Sequence, residues 1–207
     1  MENNLKYISI KTAEKIKKLF KSLSKDYVKL IYEKEKEICS FGVFTDSDIS
    51  NFFFGYNTKK GIEELKKRGI QNNKRFPDTK LKIDSMKWWL PEWINDIDEE
   101  VFRYDEREIE LFNTLEDLIE QVLNSDPNCE KDFFSDYKSD IFDLFCQSLM
   151  ELKDENIFLK VSENFFLIVQ EQDNGIYGTR EKSLSKILNK NQLKAFLKFD
   201  KAYLTPN

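Results

Sequence analysis

The sequence predicts an α+β fold: a small, mostly antiparallel sheet packed against several helices, with a long helix at the N-terminus. Three observations predict it. Apolar residues recur at steps of three and four through Ile16, Leu19, Phe20, Leu23, Tyr27, Leu30 and Ile31, the period of an amphipathic helix. Two aromatic, β-branched runs, "ICSFGVFT" and "ISNFFFGYN", flank a short acidic element and read as a hairpin. Adjacent strands outnumber strand–helix–strand repeats, which argues against a doubly wound parallel sheet. The 207 residues are 40% hydrophobic and 34% charged, which suits one domain over residues 1–207 with a core of its own. With 18 phenylalanines, that core should be largely aromatic.

Each element follows from local chemistry. The first helix should run from about Thr12, a candidate N-cap, to Glu35. The hairpin turns at Asp46-Ser47-Asp48, where Asp and Ser side chains can bond nearby amides. Asn57-Thr58 caps a helix from about Lys59 to Arg68, which Gly69 should end. "IQNNKRFPDTKLKID" follows as an exposed basic loop. In "MKWWLPEW" (residues 86–93), Trp88 and Trp89 should sit on opposite faces of a short strand, with Pro91 opening a helix that carries Trp93. Asp105 and Glu108 have capping-box spacing before a helix with Ile109, Phe112, Leu115, Leu118, Ile119 and Val122 on one face. "NSDPNCEKD" links it to a helix from about Phe133 to Leu152, with Ile141, Leu144, Phe145, Leu149 and Leu152 inward. Phe165–Val169 is continuously apolar, as a buried strand should be. Asn174-Gly175 is a turn, and short helices should cover about Glu181–Leu188 and Gln192–Phe199.

Composition excludes much. The chain has no histidine, which removes Ser-His-Asp and Cys-His catalysis, histidine general bases and histidine-containing zinc sites. Cys39, Cys129 and Cys146 are scattered without CxxC spacing, as expected of reduced thiols. With 6 glycines in all, neither a GxGxxG nor a GxxxxGK phosphate loop occurs. Asp46 and Asp48 have chemistry that suits a divalent cation, but no completing ligand motif follows, so the turn explains them better. No apolar run reaches membrane-spanning length, and the lysine-rich start lacks a signal peptide's apolar region. The expectation is a cytoplasmic protein without metal or cofactor.

The net charge of −5 hides a block pattern. Residues 1–83 carry 19 Lys/Arg against 11 Asp/Glu (+8), residues 84–173 carry 7 against 25 (−18), and residues 174–207 carry 7 against 2 (+5). A segment at −18 repels phosphates and so argues against nucleic acid. It offers a basic protein a steering field instead. The candidate protein-binding residues are Glu92, Asp96, Asp98, Glu99, Glu100, Asp105 and Glu106. The blocks also have the means to cancel one another in space if basic and acidic faces meet. An alternative function is a small-molecule-binding domain, or an enzyme that works without histidine, using Trp88, Trp89 and Trp93 as a stacking platform. Tryptophans at a strand–helix junction are more often core, and acidic density alone is poor grounds for a general acid/base pair.

Several of these stretches occur in a telling order: Phe41 to Asp46, Asn57-Thr58, Trp89 to Trp93 within "KWWLPEW", Ser148 to Phe158, and Phe165 to Asp173. Together they resemble the bacterial domain-of-unknown-function family 4303 over nearly the whole chain. The chain departs from that pattern with "DENIF" where a glycine is usual, and with a short tail after Leu188. The resemblance brings no established activity with it. Proteins of this kind are similar in size and style to immunity proteins of bacterial toxin systems, which is an analogy of context rather than of residues. The expectation is therefore a protein-binding module, an immunity protein that covers a basic toxin with an acidic surface, as a monomer or weak dimer.

Overall fold

A computed structural model describes residues 8–46, 49–75, 87–88, 105–125, 131–171 and 179–204. Among these residues the elements are α1 (Ile10–Lys34), β1 (Ile38–Thr45), β2 (Phe52–Asn57), α2 (Lys59–Arg75), α3 (Glu106–Ser125), α4 (Lys131–Asp154), β3 (Val161–Glu171), α5 (Thr179–Ile187) and α6 (Lys190–Leu204). The α+β class and the long first helix are as expected. The sheet differs in one respect. Its order is β2-β1-β3, with β1 antiparallel to β2 and parallel to β3, so it is mixed rather than mostly antiparallel. The chain makes a hairpin from β1 to β2, then returns through helices and lays β3 beside β1 in the same direction. Parallel pairing needs such a long crossover.

Several boundaries move for local reasons. The cap of α1 is Ser9, whose hydroxyl accepts the Thr12 amide at 3.1 Å, and Thr12 lies inside the first turn. Helix α2 continues through the buried Gly69 to Arg75; a mid-helix glycine costs about 1 kcal/mol relative to alanine and does not by itself stop a helix. β2 begins at Phe52 rather than Ile49 because Ile49 has a positive φ of 54°, which breaks the extended run. β3 starts at Val161, four residues before the apolar stretch, and a register shift lies between Ile38 and Ser40 of its partner strand. Lys87 and Trp88 form a short 3₁₀ segment and not a strand.

The turn assignment of Asp46 holds. Its carboxylate accepts the Ser50 amide (2.9 Å), the Ser50 hydroxyl (2.7 Å) and the Asn51 amide (3.3 Å). Ile49, fully buried, plugs the tip into the core. Asp48 lies outside the described residues.

The core is aromatic, as composition implied. Alternation sends Phe41, Val43, Phe52, Phe54 and Tyr56 to one face of the sheet, where α1 and α4 meet them. Phe20 of α1 is the hub: its ring lies 5.9 Å from Phe52, 5.6 Å from Phe54 and 4.5 Å, stacked, from Phe145 of α4. Tyr27 packs 5.1 Å from Phe54 and donates its hydroxyl to the Phe54 carbonyl. Such pairs add about 0.5–1.5 kcal/mol each beyond area burial. On the opposite face Trp88, 2% exposed, packs 4.4 Å from Phe166 and 5.8 Å from Phe196 of α6. Helix α3 lies against α1, with Phe112 5.2 Å from Phe52 and the Leu115 carbonyl accepting the Tyr137 hydroxyl.

Candidate functional site: an acidic helix beside a basic one

Of the residues singled out from the sequence, Glu92, Trp89, Trp93, Asp96, Asp98, Glu99 and Glu100 lie outside the described residues. Trp88, Asp105 and Glu106 lie within them. The ring of Trp88 is enclosed in the core and is not available as a stacking platform. Asp105 and Glu106 open α3, where they have different fates.

Asp105 is the N-cap of α3. Its Oδ1 accepts the Arg107 amide at 2.8 Å, and the Arg107 guanidinium folds back onto both carboxylate oxygens at 3.0 and 2.6 Å. The same guanidinium reaches α1, donating to the Ser22 hydroxyl and the Asp26 carboxylate, both at 2.7 Å. Hydrogen bonding from Arg107 holds the Asp105 carboxyl below its ordinary range, against an upward push from burial. Arg107 is driven well above its ordinary value, first by Asp105 and then by Asp26. Glu108 shifts upward through burial and the nearby Asp105 charge. The carboxylate of Asp105 thus belongs to an internal clamp between α3 and α1, whereas Glu106 is exposed.

The charge blocks do meet in space. Helix α1 carries eight lysines against three acids, net +5, and α3 carries six acids against one arginine, net −5. Lys15 pairs with Glu110 of α3 at 2.9 Å. On the other flank of α1 a ladder of ion pairs climbs α4: Lys17 with Glu151, Lys21 with Glu151 (2.8 Å) and Glu155 (2.6 Å), and Lys25 with Glu155 (2.7 Å). Burial pushes the Glu151 carboxyl up, but hydrogen bonds from Lys17 and Lys21 outweigh it and leave the group below its ordinary value. Glu155 is held down to about 2 by Lys21 and Lys25. Burial opposes the charge of Lys21, yet its two carboxylate partners raise it overall. A shallow groove of about 480 Å³ follows this ladder, lined by lysines and by Glu14 and Glu151. The lysines of α1 thus match Glu151 near the end of α4 and Glu155 just beyond it.

What stays unmatched is the outer face of α3. Glu106, Glu116, Asp117 and Glu120 are exposed, and none is within ion-pair distance of a described cation. No lysine or arginine occurs between Arg107 and Lys131. The exposed charges of this face are all negative.

One ionisable site escaped the sequence reading. Glu171, at the end of β3 and in register with Thr45, has a fully buried side chain, 3.7 Å from Lys138 of α4. A signal was there: strand alternation puts Glu171 on the same face as Leu167 and Val169, the face that packs on α4. A second cluster joins α4 to α5, where Asp143 accepts the Ser183 hydroxyl at 2.9 Å, Lys186 at 2.5 Å and the Gln147 amide at 2.6 Å. Burial pushes the Asp143 carboxyl up; Lys186 and Ser183 bring it below its ordinary value. Among the described residues no three Cys, Asp or Glu side chains are grouped to hold a metal, and no helix is long and apolar enough to cross a membrane.

Comparison with known proteins agrees with the order of motifs along the chain. No curated protein matches the sequence, and no solved structure matches it. The family model described as "Domain of unknown function (DUF4303)" matches residues 14–183, from the first turns of α1 to α5, and the chain belongs to that family.

Proposed function

We propose that this chain is a protein-binding module of the cytoplasm, an immunity protein that neutralises a basic toxin by covering it with an acidic surface. The observation that supports the reading is the outer face of α3, where Glu106, Glu116, Asp117 and Glu120 stand exposed with no cation between Arg107 and Lys131. A protein contact uses the summed field of such a face, which steers encounter and selects partners by sign. It needs no tuned catalytic group, in keeping with a chain that lacks histidine. The buried, unbridged thiols of Cys39 and Cys146 accord with a reducing compartment.

The test is calorimetric titration against the product of the neighbouring gene, with wild-type chain and two charge-reversed variants. One carries Lys at Glu116, Asp117 and Glu120; the other carries Lys at Asp96, Asp98, Glu99 and Glu100. The reading expects tight binding that weakens at higher salt and on charge reversal. Absence of binding, or binding indifferent to both sets of reversals, overturns it.

A second reading keeps an enzyme that works without histidine, or a small-molecule domain. Its support is the fully buried Glu171 carboxylate held 3.7 Å from the amine of the partly buried Lys138, a charge pair of the kind that functional sites as well as structural ones contain. Trp88 is committed to the core and does not serve it.

A further inference from the structure

Helices α1 and α3 lie side by side, and their contacts define how. Lys15 pairs with Glu110, while Arg107 reaches Ser22 and Asp26. Residue numbers rise on one helix as they fall on the other, so the two are antiparallel. Each buries one stripe in the core, Ile16, Phe20, Leu23 and Tyr27 on α1 and Leu111, Leu115 and Leu118 on α3. The residues diametrically opposite these stripes therefore face outward together. On α1 the outward side carries Lys11, Lys18 and Lys29 with Glu14 among them, and on α3 it carries Glu106, Asp117 and Glu120 with Ile109 and Asn113 among them, all exposed. None of the three lysines is within ion-pair distance of a described carboxylate. The outer surface thus carries a mainly positive stripe, interrupted by Glu14, directly beside a negative one.

Such a face is complementary to itself. We propose that it binds a second copy of this chain, α1 of each copy lying over α3 of the other about a twofold axis parallel to the two helices. That operator is isologous and closes at a dimer. The alternative in-plane twofold, across the helices, would lay lysine over lysine and is repulsive. The level of each charge follows from the Lys15–Glu110 contact and the helical rise of about 1.5 Å per residue. Lys11 lies about 6 Å towards the start of α1, level with the stretch of α3 between Glu110 and Asp117. Lys18 lies about 4.5 Å the other way, level with the stretch between Glu106 and Glu110. The axis preserves these levels, so Lys11 of one copy comes near Asp117 of the other and Lys18 near Glu106, while Lys29 lies beyond the start of α3. Exposed charges of this kind are screened and individually weak, so the dimer is weak and sensitive to salt. The inference needs no toxin, although it uses the same carboxylates of α3 as the toxin reading, so a dimer and a toxin complex would compete for this face.

The experiment is sedimentation velocity on the full chain over a concentration series, at about 0.05 M and about 0.5 M salt. The expected result is concentration-dependent dimer at low salt and monomer at high salt. Two double variants, K11E/K18E and E106K/D117K, should each dimerise at least roughly tenfold more weakly. An equimolar mixture of the two should regain a dimer, because each supplies the charge that the other has reversed. Circular dichroism of each variant confirms that it is folded, and the mixture tests the interface directly. Monomer at both salts, a dimer indifferent to salt, or variants that dissociate without rescue on mixing would each overturn the proposal.

Discussion

The ladder between α1 and α4 and the Lys138–Glu171 pair are made of the same two chemical groups, in opposite surroundings. In the ladder, Lys17, Lys21, Lys25, Glu151 and Glu155 keep side-chain exposures between 19 and 43%. Water competes for every one of them, and an exposed pair is worth roughly 0–1 kcal/mol. At the end of β3, Glu171 has no exposed side-chain surface and Lys138 has 13%. There the desolvation of the Glu171 carboxylate is large, and Lys138 is one of the groups that offset it. The ladder is a device of long-range charge matching, tolerant of loss, whereas the buried pair is a local commitment that one substitution upsets.

The largest effect should come from the buried pair. Lys138→Met removes the ammonium beside a fully enclosed carboxylate, and should cost about 3–5 kcal/mol, read as a drop in the urea midpoint. Lys138→Met combined with Glu171→Leu should recover most of that loss, because an apolar pair carries no desolvation penalty. If the single and double variants lose the same amount, packing rather than charge decides the site.

Asp105→Ala should have an intermediate effect. It removes the cap of α3 and one partner of Arg107, and should cost about 1 kcal/mol for the cap plus a further fraction for the clamp. Asp105→Asn keeps the cap oxygen, and the difference between the two variants isolates the charge.

The smallest effect should be the ladder, and pH reveals it best. The folded-state pKa of Glu155 is held down to about 2, below the unfolded value of about 4.3. A depressed carboxyl contributes stability that is present above the unfolded value and lost as pH falls through the folded one. Wild type and Glu155→Gln should therefore differ slightly at pH 6, and the difference should shrink from about pH 4.3 and vanish near pH 2. Added salt at pH 6 should shrink it as well. A gap that grows on acidification would mean that Glu155 is not held by Lys21 and Lys25.

Much of this arrangement was legible in the residues. The three-and-four spacing of Ile16 to Ile31 located α1, and the aromatic runs around Asp46 located the hairpin, because both patterns reflect the faces that must leave water. The chemistry of Asp46 as a turn residue was legible for the same reason: its partners, Ser50 and Asn51, lie within the turn itself. Trp88 was harder. Its neighbours Phe166 and Phe196 are distant in sequence, so nothing local distinguished a core ring from a ligand platform. Asp105 was legible as a cap but not as half of a clamp, since Ser22 and Asp26 come to Arg107 only through helix packing.

By itself, then, the sequence located most of the helices and strands, though not the 3₁₀ segment at Trp88, and it determined which catalytic chemistries have no residues to perform them and how charge is distributed in blocks along the chain. The tertiary structure alone decided that β3 returns parallel to β1, that lysines of α1 pair with Glu151 and Glu155 while the outer face of α3 keeps its charge, and that the buried Glu171 meets Lys138. The division has a physical reason. Helix periods, turns and caps are set by neighbours within a few residues, and those neighbours are written side by side. Ion pairing and desolvation depend on distances through space between groups up to about 130 residues apart, as Lys21 and Glu151 are, and such distances exist only once the chain has packed.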